Sequence, residues 1–324
     1  MIESRQVLRA AAEAAQIAPS IHNTQPWRFV VAADRLELWV NRRRWLPLLD
    51  PDGHMLLLSC GAALHQVGVA LAAAGWCSGV DRTGAGHLAN EPLAVVRLTG
   101  RQDQSSSLVR RFQATLVRQT DRRAVIEEPV AAHAVTAIRA AVTATGAGLH
   151  VVPADERAEL AKAVEHAHRI ENDDPARRAE LAHWVGGRRL DGTGVPDSVI
   201  PAWPPPTTVP ERDFGHLGTL DAGHGHDTAA VYAILFGDGD QPVDWLRAGE
   251  ALDAAWLEAV QQGLALLPHS APTEVLAARE TLRRLLHGAG YPYLVLRLGR
   301  ADPDLTGPPM TPRLDPAETI NEIR

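Results

Sequence analysis

The segment from Leu56 to Trp76 contains no Asp, Glu, Lys or Arg; its only sizeable polar groups are His65 and Gln66. A stretch that long and apolar has two places to go, a bilayer or a protein interior. Glycines at 61, 68 and 75 and the absence of a flanking basic cluster weaken the membrane reading. A buried interface helix fits better, with small residues allowing close helix contact. A second Ala-rich helix is expected from Trp245 to Leu266, at an equivalent place in the second part of the chain. Two such helices point to two halves, each giving one long helix to a shared interface. A length of 324 residues suits two lobes better than one average core.

The rest of the chain divides accordingly. The first half is read as residues 1–107. A helix is expected near Val7–Ile17, strands at Trp27–Ala32 and Arg35–Asn41 around a tight turn, and a strand at Leu93–Leu98. Its start mixes Glu3, Arg5, Arg9 and Glu13 with apolar positions, which suits an amphipathic helix rather than a signal peptide. The Ser-rich stretch Gly100–Ser107 reads as the linker between halves. In the second half, residues 108–324, helices are expected at Leu108–Val117, Ala132–Thr145, Ala154–Arg169 and Thr273–Leu286. Strands are expected at Leu149–Val152, Val231–Phe236 and Tyr293–Leu298. Residues 172–214 are rich in proline and glycine and show too little apolar periodicity for a packed layer. Trp184 and Trp203 favour a segment that docks on something, such as a lid. The tail from Ala301 reads as extended until a last short helix.

Two short stretches carry the chemistry. Residues 18–29 read Ala-Pro-Ser-Ile-His-Asn-Thr-Gln-Pro-Trp-Arg-Phe, a polar loop stiffened by two prolines. Residues 118–122 read Arg-Gln-Thr-Asp-Arg. If extended, that segment puts Arg118, Thr120 and Arg122 on one face. Such a face suits a phosphate, whose oxygens accept two-pronged hydrogen bonds from guanidinium. Taken singly, the first stretch could be only a capped turn and the second only a solvated charged face.

Together, Pro-Ser-x-x-Asn-x-Gln-Pro-Trp and Arg-x-Thr-x-Arg resemble the two flavin-binding signatures of the nitroreductase family, which uses flavin mononucleotide (FMN). The resemblance implies an α+β fold with central antiparallel-rich sheets and long interface helices. In that family two subunits share each FMN, with the Arg-x-Ser-x-Arg motif near the start of one subunit and the Pro-Ser-x-x-Asn loop from the other. Here the motifs are split differently. The first half has only the Pro-Ser loop and the second only the arginine motif. The implied arrangement is a fused pseudo-dimer holding one flavin, a monomer mimicking a homodimer or a loose dimer. It resembles the Acg-like branch of actinobacterial proteins of that fold.

The resemblance also implies residue roles. Arg118 and Thr120 would hold the phosphate, Arg122 the O2–N1 edge of the ring, and Arg313 would close over the phosphate. Pro268, Ser270 and Ala271 would line the ring edge, with the Ser270 N–H towards N5; much of the family has Glu at that place. Pro19, Ser20, Asn23 and Gln25 would line the ring from the other half. No side chain is expected to act as an acid or base, because the hydride passes at flavin N5. NADH or NADPH would be a transient donor, and a quinone, nitroaromatic or other small molecule the acceptor. The alternative is a protein that sequesters FMN under a lid with little turnover.

Other chemistries find less support. The net charge of −7 argues against a nucleic-acid partner. Cys60 and Cys77 suggest no disulfide framework, so a cytoplasmic setting is the default expectation. His216, His224, His226 and Asp227 cluster in sequence, but in a Gly-rich stretch with no rigid spacing, and no metal is expected there. His166 and His168, two apart on a helix, face different ways.

Overall fold

The computed structural model describes residues 2–323. The first half runs α1 (Ile2–Ala14), β1 (Trp27–Val31), β2 (Leu36–Val40), α2 (His54–Ala73), β3 (Trp76–Arg82) and β4 (Ala94–Arg101). The second runs α3 (Ser106–Val117), α4 (Ala132–Thr143), β5 (Gly148–Val151), α5 (Arg157–Asp173), α6 (Pro175–Trp184) and β6 (Val231–Gly237). It continues through α7 (Pro242–Gln261), β7 (Ala265–His269), α8 (Ala271–Glu274), α9 (Leu276–Leu285) and β8 (Tyr291–Gly299), and ends with α10 (Pro316–Thr319) and β9 (Ile320–Glu322). The fold is α+β, with helices packed on two sheets.

The sheets repeat one plan. The first has strand order β3-β4-β2-β1-β9, and the second, taken from its far edge, has order β7-β8-β6-β5. Apart from β9, every neighbouring pair is antiparallel. Helix α2 follows β2 as α7 follows β6. The connections differ: β1 turns directly into β2, whereas residues 152–230 lie between β5 and β6. The tail then crosses back, so that β9 adds a parallel edge strand to β1, pairing Ile320 with Phe29.

Helices α2 and α7 form the centre of the molecule. Asp50 caps α2, its carboxylate accepting from the Met55 and Leu56 amides at 3.1 and 2.9 Å. Pro242 starts α7, and Asp244 reaches back to accept from the Gln241 amide at 2.9 Å. Both helices are 20 residues long and carry a glycine at the same position. A Cβ on Gly61 would lie 1.9 Å from the Leu246 carbonyl oxygen, and one on Gly249 would lie 1.8 Å from that of Leu58. This contact is reciprocal, as an isologous two-fold interface requires. Further along α7, the buried Asp253 carboxylate accepts from His65 Nδ1 and Gln66 Nε2 at 2.7 and 2.8 Å.

Several expectations need correction. The apolar run of the first half stops being helical at Ala73, and Trp76 opens a strand. Helix α7 is done by Gln261, leaving Ala265–His269 to pair with β8. Residues 172–214 are not a layerless loop. Asp174 accepts from the Ala176 amide at 2.8 Å and starts α6. Leu181, Trp184, Val185, Val195, Val199 and Ile200 then form a small core with Leu46 and Leu49 of the first half. Leu181 and Trp184 share one face of a short helix, but Val195, Val199 and Ile200 lie in turns without a regular repeat, which hides the layer in the sequence.

Candidate active site

The loop at 18–25 is bent hard. His22, Asn23 and Gln25 have φ of 43, 55 and 51°, in the left-handed region that side chains other than Gly and Asn seldom adopt. Surrounding bonds over-determine that geometry. Ser20 Oγ accepts from the Gln25 amide at 3.0 Å, and Ser59 Oγ on α2 accepts from the Ile21 amide at 3.0 Å. Asn23 Nδ2 donates to the carbonyls of Gly194 and Pro312, at 3.0 and 2.9 Å. Gln25 Nε2 donates to the Gly192 carbonyl at 2.8 Å, while its Oε1 accepts from the Leu314 amide at 3.0 Å. One short loop thus ties the 192–194 turn and the C-terminal tail to the first half.

Beside it opens a cavity of about 620 Å³. Arg118 and Arg313 form one end. Arg118 is 3% exposed and lies over the Trp256 ring at 4.6 Å. Both guanidiniums donate to the Ile17 carbonyl, at 2.9 and 3.1 Å, and Arg313 also donates to Asn23 Oδ1 at 2.9 Å and to Thr311 Oγ1. Neither has a carboxylate salt-bridge partner within 4 Å among the described residues. Each keeps a buried Nε with no hydrogen-bond partner. Burial lowers Arg118 to about 10, and burial with the Arg118 charge lowers Arg313 to about 9. The Asp253 charge acts on Arg118 from beyond salt-bridge distance, and two buried cations with no closer acid make a site that favours an anion.

The wall continues through Thr120 and Arg122. Arg122 donates to the Val199 carbonyl at 3.3 Å and stands 5.6 Å from the Phe214 ring. Burial lowers it to about 10. Pro268, Ser270 and Ala271, where β7 gives way to α8, line the cavity as well. Residues between 199 and 217 complete the enclosure, including Trp203, which is half exposed. The 199–217 strip is fastened by Arg212. Its guanidinium pairs with Glu171 of α5 at 3.1 Å and Glu274 of α8 at 2.9 Å, and donates to Ser270 Oγ at 3.2 Å. Burial pushes the Glu171 carboxyl up to about 8, whereas Glu274 is held down to about 2, chiefly by the Arg212 charge against the desolvation that opposes it.

Pro19, Ser20, Asn23, Arg118, Thr120, Arg122, Pro268, Ser270, Ala271 and Arg313 therefore share one cavity, although they lie up to 294 positions apart. Gln25 stands behind the wall, fully buried, and serves as a brace rather than a lining group. Sequence reasoning missed His22, Glu211, Arg212 and His269, all of which line the same space. Burial lowers His22 to about 3 and raises Glu211 to about 7. No local pattern marks these residues; only the tertiary course of 199–217 brings Glu211 and Arg212 inward. The 216–227 histidines do not gather either. His216 pairs with Asp197 at 2.9 Å, and Asp227 is taken up by Arg297, Tyr232 and the Val125 amide.

No family model matches the chain. Full-length relatives do. The Mycobacterium tuberculosis H37Rv protein named "Putative NAD(P)H nitroreductase Rv3131" is 35% identical over 314 residues, covering 94% of this chain and 88% of its own. The H37Rv protein named "Putative NAD(P)H nitroreductase acg" is 31% identical over 323 residues, covering 98% and 96%. Among solved structures, the FMN-dependent nitroreductase NfnB from Mycobacterium smegmatis in complex with NADPH aligns with 68% of this chain and all of its own, at 17% identity and a TM-score of 0.42. On the near-complete match to Rv3131 and Acg, the chain belongs to the nitroreductase family.

Proposed function

We propose that the chain binds one FMN in the 620 Å³ cavity and is a two-electron oxidoreductase that uses NAD(P)H to reduce a small acceptor. The observation that carries this reading is the pair Arg118 and Arg313, both buried, donating to one carbonyl, with no carboxylate in salt-bridge reach and with two unpartnered Nε groups. A phosphate dianion would satisfy both, and the charge-assisted bonds it accepts are the strong ones. The cavity volume falls within the range for small-molecule sites, about 300–1,000 Å³. FMN, when bound, supplies hydride chemistry at its N5.

The chain's own residues bind, orient and exclude water. Arg118, Arg313 and Thr120 would hold the phosphate. Arg122 would offer positive charge to the ring's O2–N1 edge, and the Ser270 segment would face the ring from the end of β7. Ser20 and Asn23 brace the opposite loop, so ring contacts would come from both halves. The repeated strand order and the reciprocal Gly61–Gly249 contact support the fused pseudo-dimer reading. Only one combination of loop and arginine motif exists, so one flavin per chain follows, and a monomer can build the site alone.

Sequestration is the second reading, and the Arg212 latch favours it. A strip held at 3.1 and 2.9 Å by two carboxylates limits access to the ring. Anaerobic titration of the purified flavoprotein with NADPH separates the two. Rapid bleaching of the flavin band and reoxidation by a quinone support turnover. Flavin that stays oxidised with both NADH and NADPH supports sequestration. A protein that takes up no flavin on incubation with FMN contradicts both.

A further inference from the structure

Outside the cavity lining, three side chains converge that no part of the flavin site uses. His150 stands on β5, Glu156 immediately precedes α5, and His287 follows α9. One ligand-type atom from each lies within 4.8 Å of the others. His287 Nε2 is 3.5 Å from Glu156 Oε1, and the two imidazole rings meet edge to face at 5.9 Å. His150 Nε2 and Glu156 Oε2 are sealed from solvent and have no hydrogen-bond partner. Buried polar atoms left without a partner are destabilising unless something satisfies them.

From this convergence of two imidazoles, one carboxylate and two orphaned polar atoms, we infer that His150, Glu156 and His287 form a binding site for a divalent transition metal, with zinc the best fit. Nitrogen and carboxylate donors suit zinc, at bond lengths near 2.0–2.2 Å. Tetrahedral geometry then asks for ligand separations of about 3.3 Å, from the same bond lengths. The Glu156–His287 pair already meets that value, and the mostly exposed His287 side chain is free to close on His150. Its exposure also leaves a fourth position open to water. The two histidines bring no charge when neutral and the glutamate brings one negative charge, which sets a net attraction for a dication. Arg139 lies near His150, but its Nε is engaged with the Leu149 carbonyl at 3.3 Å. The metal would pin β5, α5 and α9 together. Helix α5 carries Glu171 and α9 follows Glu274, so the site would stiffen the layer to which Arg212 fastens the strip.

The test uses the full chain with its flavin content unchanged, stripped with EDTA and dialysed against zinc chloride. Retained zinc is counted per chain and the melting temperature is compared with and without metal. Wild type should keep one equivalent and melt several degrees higher with zinc. His287→Ala, on an exposed position, and His150→Ala should each lower zinc affinity at least ten-fold and abolish the melting shift. The double variant His224→Ala/His226→Ala should behave as wild type. No retained equivalent in wild type, or equal retention in His287→Ala and His150→Ala, overturns the inference.

Discussion

Replacing Arg118 by Met tests the anion end of the cavity while keeping a long stem over Trp256. In the protein without ligand, Arg118 and Arg313 are held at about 10 and about 9 against an ordinary 12.5. Each charge is therefore disfavoured by roughly 3–5 kcal/mol, part of it shared between the two. Removing the Arg118 guanidinium removes its desolvation cost and its repulsion on Arg313, so the ligand-free variant should melt no lower than wild type. FMN should lose one charge-assisted contact, about 1.5–3 kcal/mol, or a 10- to 150-fold weaker Kd. Riboflavin lacks the phosphate and should change less than about three-fold, since no strong contact of this class is lost. Fluorescence titration of the apoprotein with both ligands gives the two ratios. Equal losses for FMN and riboflavin, or a marked fall in ligand-free stability, would refute the reasoning and make Arg118 a structural residue.

Three further outcomes follow from other parts of the molecule. Gly249→Ala sets a Cβ 1.8 Å from the Leu58 carbonyl oxygen, a backbone atom that no rotamer change can move. The helices must separate, at about 3 kcal/mol or more, and calorimetry should show melting at least about 4 °C lower; a shift under about 1 °C would contradict the close crossing. Glu211 is raised to about 7 by burial from an ordinary 4.5. Its contribution to stability is therefore present below pH 4.5 and lost as pH rises through about 7, so Glu211→Gln should gain over wild type at pH 8 and not at pH 4.5, by up to roughly 3 kcal/mol. The same difference at both pH values would count against it. For the covering strip, replacing residues 202–207 by a short Gly-Ser bridge should speed NADPH reduction and expose the flavin to iodide quenching. Unchanged rate and quenching in a variant that still holds flavin would show that the strip is no lid. A wider deletion from Gly187 would remove Val195, Val199 and Ile200 from their core and test stability instead.

The two long interface helices were legible because their apolar content leaves a chain few alternatives, and the motif residues because their types and spacing are unusual. Arg313 could be placed through resemblance alone; nothing local distinguishes it from other arginines of the tail. Strand β3 was hidden behind the helix because Trp76 continues an unbroken apolar run. Strand β9 was hidden because Ile320–Glu322 gains its meaning only by pairing with β1, almost the whole chain away. The small core around Trp184 was only partly legible: Leu181 and Trp184 share one face of α6, but Val195, Val199 and Ile200 lie in turns with no helix or strand repeat. Arg212 and Glu211 looked like ordinary surface charges. Their ion pairs with Glu171, Glu274 and Arg297 come from three separate elements, which no window of sequence contains.

The central claim is that two repeated halves build one flavin site in a single chain. Native mass spectrometry of the FMN-saturated protein, with denaturing release to quantify the flavin, tests it most directly. The account predicts one FMN for each 34.9 kDa chain, already bound in the monomer. Two flavins per chain, or flavin found only in a dimer that the monomer cannot replace, would contradict it.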